Sequence, residues 1–83
     1  MTVVEVRFDT DIFTALRKAP EEVAREIRLA AAIRWYALGQ LSQAKAAEIA
    51  GISRSEFIDA VAASGVSVSQ ESIEDIREAL SRA

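Results

Sequence analysis

Two spacings of apolar residues follow one another along this chain. Over residues 3–8, Val4, Val6 and Phe8 fall on one side and Val3, Glu5 and Arg7 on the other, the period-two pattern of a short strand. Beyond it the apolar positions recur at helical spacing. Within residues 9–18, Ile12, Ala15 and Leu16 form one stripe behind Asp9, Thr10 and Asp11, any of which can cap a short helix. Pro20 opens the next element, Glu21 and Glu22 oppose the positive helix end, and Gly39 stops a helix predicted to run to Leu38. From 29 to 38 every residue except Arg34 is apolar. A helix apolar almost all round is enclosed on most sides. It is therefore expected to be the central helix of the core and a dimer seam, about 28 Å long. Trp35 and Tyr36 are expected as core rings on it. Arg25, Arg28 and Arg34 fall on its more polar side, solvated or paired with Glu21, Glu22 or Glu26.

The stretch 41–64 carries the most specific signal. Two short helices meet at Gly51, which can take the positive φ of a helix C-terminus, and the small Ala47 lets their backbones approach. Ala46, Ala50, Ile52, Phe57 and Ala60 take inward sites, while Ser42, Lys45, Glu48, Arg54, Ser55 and Asp59 stay outside. Ser53 and Glu56 form a capping box at the start of the second helix. This is the outline of a helix-turn-helix, whose second helix enters the major groove by its N-terminal end, here Ser53, Arg54 and Ser55. Any antiparallel pair of alanine-rich helices also needs a glycine turn and small contact residues. Glu56 and Asp59 put acid on a helix that would face phosphates.

After Gly65, residues 66–69 alternate again, as a short edge strand or connector, and 70–83 read as an amphipathic helix. Its narrow seam is Ile73, Ile76 and Leu80, which can dock on its own domain or lie in the groove of another protein, the plain alternative being a solvated terminal helix. The N-terminal strand lacks a neighbour in sequence, so it pairs either with 66–69 or with its counterpart in a second subunit. A strand before two helices is also the order of a ribbon-helix-helix dimer. Glu5 suits base reading poorly, and dimerisation fits the strand better than DNA contact does.

Composition narrows the function. At 83 residues the chain makes one domain, 1–83, divided by role into 1–40 for dimerisation, 41–65 for the helix-turn-helix and 66–83 for partner binding. A chain this short buries only about 60–65% of its unfolded surface, yet its hydrophobic fraction is 51%, a surplus that favours a core completed by a second copy or another protein. With neither cysteine nor histidine, disulfides, the usual zinc sites, thiol nucleophiles and imidazole bases drop out. Neighbouring carboxylates such as Glu21 and Glu22 diverge on a helix, and no glycine-rich phosphate loop is present. Catalysis, a cofactor, a metal and a small-molecule substrate are therefore not expected. Nothing approaches a membrane span or a secretory leader, and a cytoplasmic protein is expected. A net charge of -3 is unusual for a chain that lives by DNA alone, and it suits a basic protein partner as well.

The run 41–57, most specifically Ala46-Ala47-Glu48-Ile49-Ala50-Gly51-Ile52-Ser53-Arg54 with Phe57, then Gly65-Val66-Ser67-Val68 and an acidic terminal helix, resembles the small prokaryotic antitoxin family of the UPF type. Ser67 stands where that pattern often has proline, and Gln70-Glu71-Ser72 is polar. The resemblance covers 3–80 and implies a VapB-like antitoxin that pairs with a PIN-domain ribonuclease toxin and represses its own operon. A homodimer would then present two recognition helices to a palindromic operator, with Arg54, Ser53 and Ser55 on base edges and Gln43, Lys45 and Arg34 on phosphates. Toxin binding would fall to Ile73, Ile76 and Leu80, with Arg77 or Arg82 approaching the carboxylates of a magnesium-dependent ribonuclease site. A DNA-binding regulator without a toxin, and a helical interaction module that never meets DNA, remain as alternatives.

Overall fold

A computed structural model of the chain describes residues 2–68 together with 77 and 78. Among these the architecture is mainly α, with helices α1 (Asp11–Leu16), α2 (Pro20–Ala37), α3 (Gln43–Ala50) and α4 (Arg54–Ser64). Most of the helix 70–83 expected from the sequence lies outside the described residues. Of it, Arg77 and Glu78 are helical and exposed.

Local signals set the helix ends. Pro20 is the first residue of α2, and the Ala19 N–H ahead of it donates to Glu22 Oε1 at 3.4 Å. At the other end Gly39, at φ 76°, turns the chain back: its N–H donates to the Tyr36 carbonyl at 2.9 Å, and the Gln40 N–H donates to that of Trp35 at 2.9 Å. The same paired closure ends α3. There Gly51 stands at φ 74°, with its N–H to the Glu48 carbonyl and the Ile52 N–H to that of Ala47, both at 3.1 Å. Two orphan carbonyls are satisfied each time by a conformation that glycine adopts without strain. Helix α1 is shorter than its predicted span. Thr10 makes no side-chain cap bond, and Arg17 closes the helix at φ 56°, a left-handed conformation that a residue with a Cβ resists.

The core lies where α3 packs on both α2 and α4. Ala32, Ile33 and Tyr36 of α2, Ala46 and Ala47 of α3, and Phe57 and Val61 of α4 form one buried cluster, with Leu29, Leu41, Ile49, Ile52, Ala60 and Val68 against it. The alanines bring the backbones close enough for Tyr36 to meet Phe57 edge to face, centroids 5.4 Å apart and planes at 78°. Arg28 Nε donates to the Ile49 carbonyl at 3.0 Å and so pins the last turn of α3 to α2.

Two expectations are corrected here. No strand forms among the described residues: 2–9 and 66–68 are irregular, and Ser69 lies outside them. A strand needs a neighbour to accept its ladder, and within one chain neither segment finds one. Side-chain alternation survives nonetheless. Val4, Val6 and Phe8 line a shallow groove of about 340 Å³ with Phe13, Val23 and Ile27, whereas Glu5 and Arg7 pair with each other at 3.4 Å. The second correction concerns Trp35, which is 43% exposed in place of a core position. Over residues 32–37 tertiary packing encloses the face of α2 that carries Ala32, Ile33, Tyr36 and Ala37, and Val23 is buried nearer its start. Ile27, Trp35 and Leu38 on the opposite face are left open. No helix among the described residues is long and apolar enough to cross a membrane.

Candidate nucleic-acid interface

Each residue of the candidate interface is placed by a helix start. Ser53 precedes α4 with extended backbone, its Oγ accepts from the Glu56 N–H at 3.1 Å, and its own N–H donates to Glu56 Oε1 at 3.2 Å. This reciprocal box fixes the direction in which α4 leaves the turn. Ser42 caps α3 in one direction only, its Oγ accepting from the Lys45 N–H at 3.1 Å. Ser53, Arg54 and Ser55 are all exposed, so the start of α4 is not packed beneath any described part of the chain.

The two helix starts are joined through their first residues. Arg54 Nη2 donates to Gln43 Oε1 at 2.7 Å, a charge-assisted bond that orients the guanidinium at the start of α4. Gln43 itself is buried, at 1% exposure. Its Nε2 is also enclosed and meets no acceptor among the described residues. The expected phosphate contact from Gln43 therefore does not match its placement, since its amide oxygen faces Arg54 and its amide nitrogen is shut away from solvent. The signal was present in the spacing: Gln43, Ala46, Ala47 and Ala50 lie on one stripe of α3, so the first of them shares the inward face of the others.

The remaining basic residues are dispersed. Lys45 is exposed beside the start of α3 and pairs with Glu48 at 3.1 Å, a solvated ion pair of small worth. Arg34 is exposed on α2, but it lines an apolar groove of about 450 Å³ with Leu29, Ile33, Ala63, Ser64 and Val66, at the far end of α4 from Arg54. Arg34 thus stands apart from Ser53, Arg54 and Ser55. Glu56 and Asp59 are exposed on α4 itself, as the sequence placed them. Of the residues assigned to a toxin, Arg77 is exposed, while Ile73, Ile76, Leu80 and Arg82 lie outside the described residues. The geometry offers a small donor-rich end made from two helix starts, with Arg54 as its oriented cation and Lys45 nearby. Such an end can meet anionic oxygens and base edges.

Residues 1–82 match the model of a family described as Uncharacterised protein family (UPF0175), and the chain belongs to that family. No curated protein and no solved structure matches it.

Proposed function

We propose that this member of the UPF0175 family is the antitoxin of a toxin-antitoxin pair, which neutralises a PIN-domain ribonuclease by direct binding and represses its own operon through a helix-turn-helix. The observation that carries the DNA-binding half is the exposed start of α4, held by the Ser53–Glu56 box, with Arg54 oriented by its bond to Gln43. Helices α3 and α4 are the helix-turn-helix in this reading. The start of α4 enters the major groove, Arg54 takes a base edge with Ser53 and Ser55 beside it, and Lys45 takes a phosphate. Arg34, at the other end of α4, does not belong to the reading set.

Dimerisation supplies the second recognition helix. The face of α2 bearing Ile27, Trp35 and Leu38, together with the exposed Val3, Val4, Val6 and Phe8, provides apolar surface that one chain leaves uncovered. In this reading residues 3–8 pair with the same residues of a second copy.

The ribonuclease partner rests on the resemblance. The tail supplies Ile73, Ile76 and Leu80 as anchor, and Arg77 or Arg82 neutralises carboxylates that hold the partner's metal, so that inhibition is by occupation and without chemistry. The test is a pair of assays on one set of proteins: deleting residues 70–83 abolishes inhibition of the ribonuclease encoded alongside while leaving operator binding intact. Loss of both together contradicts this division of labour.

A second reading, a helical adaptor for a basic protein, is favoured by one observation. Lys45 is already paired, while Glu56 and Asp59 face solvent on α4 of a chain with net charge -3. Failure of the full-length protein to bind the duplex upstream of its own coding sequence decides for the adaptor.

A further inference from the structure

Gln43 is a polar side chain in an apolar position. It shares the inward stripe of α3 with Ala46 and Ala47, is 1% exposed, and has one amide arm bonded to Arg54 and the other without an acceptor among the described residues. A methionine of similar length fills the same space and leaves no donor unpaired. What methionine cannot do is hold a guanidinium. A buried polar group that packing does not require, bonded to an exposed arginine, is a local conflict of the kind that functional sites carry.

We propose that Gln43 is a positioning residue that sets which base edge Arg54 reads. The inference rests on the reading of α4 as a recognition helix. A guanidinium is planar and carries five N–H donors in a fixed fork. With one of them committed to Gln43 Oε1 at 2.7 Å, rotation of the Arg54 group is restrained, and the donors not engaged by Gln43 stay available as a coplanar pair. A coplanar pair of donors matches the O6 and N7 acceptors of guanine in the major groove. Released from Gln43, the same arginine samples rotamers and serves a phosphate as readily as a base. Gln43 therefore contributes to discrimination between sequences and little to affinity for DNA as such.

The test uses full-length parent, Gln43→Met, Gln43→Glu, Arg54→Ala and the Gln43→Met/Arg54→Ala double variant. Each is melted by circular dichroism and titrated by fluorescence anisotropy against the duplex upstream of its own coding sequence and a scrambled duplex of equal composition. Gln43→Met is expected to melt at or above the parent temperature and to bind the scrambled duplex as the parent does. Its preference for the upstream duplex should fall by about 5- to 30-fold, within the range of one good bidentate contact. In the Arg54→Ala background the same change should remove nothing further. Gln43→Glu keeps an acceptor for Arg54 and retains most of the preference, and should Gln43→Met fail to fold this variant decides alone, its loss of preference overturning the proposal. A folded Gln43→Met protein with the parent's preference, or a loss additive with that of Arg54→Ala, also overturns it. A parent with no preference for the upstream duplex overturns the recognition-helix reading itself, an outcome visible before any substitution is compared.

Discussion

Arg54 and Gln43, the first residues of α4 and α3, are bonded side chain to side chain at 2.7 Å across the turn that separates the helices. One is exposed and charged, the other buried and neutral. The bond couples an outward group to the packing of the helix pair, so the direction of the guanidinium follows from how α3 seats on α2 and α4.

Arg54→Ala is expected to cost both recognition and some stability. Removing the side chain takes the partner from the buried Gln43 Oε1, so stability falls by about 1–3 kcal/mol, while preference for the operator falls by about 1–3 kcal/mol, roughly 5- to 150-fold. Lys45→Ala, by contrast, lowers affinity for all duplexes alike and reduces the salt slope by about one. Anisotropy titrations at several salt concentrations measure both.

Phe57→Ala removes the ring that Tyr36 meets edge to face in a site with 0% exposure. The expected loss is about 3–5 kcal/mol, a large share of the roughly 5–15 kcal/mol that holds a typical domain together. Urea unfolding followed by circular dichroism should show a chain that is largely unfolded or close to it.

Gly51→Ala isolates the backbone. A Cβ at this position meets nothing within 4 Å, so space is not at issue, and the φ of 74° alone sets the cost. The expected loss is about 1–2 kcal/mol, with Gly51→Asn costing less because asparagine tolerates the left-handed region. The same unfolding experiment checks the order of the two variants.

Trp35→Glu and Leu38→Glu address the open face of α2, where the two side chains are 43% and 50% exposed. The folded chain should tolerate both, while association between copies weakens by about 2 kcal/mol or more per anchor. Sedimentation velocity is expected to show two copies for the parent and one for the variants. A parent that sediments as one copy at every concentration contradicts the dimer.

What the sequence disclosed follows from how local each signal is. Ser53 with Glu56, Pro20 with Glu22, and the glycines at 39 and 51 act on backbone groups a few residues away, and the helix ends fall where these residues place them. The inward set was legible for the same reason: Ala46, Ala47 and Phe57 are buried, and Lys45, Glu48 and Asp59 are outside. Signals that depend on distant partners misled. Alternation over residues 3–8 fixed which side chains share a face but could not supply a neighbouring strand. The apolar run 29–38 does not say which side of α2 the rest of the chain covers, so Trp35, expected in the core, lies on the open side. Gln43 is expected on a phosphate, although its register with Ala46 and Ala47 already points inward.

The most direct measurement is an amide chemical-shift titration of the labelled full-length protein with the duplex upstream of its coding sequence. The largest shifts are expected at Ser53, Arg54 and Ser55, with a second group at Ser42 and Lys45, and little change at Ala63 and Ser64 at the far end of α4. No shifts at stoichiometric duplex, or shifts centred on Ile27, Trp35 and Leu38 with the start of α4 silent, would contradict recognition of DNA by this helix pair.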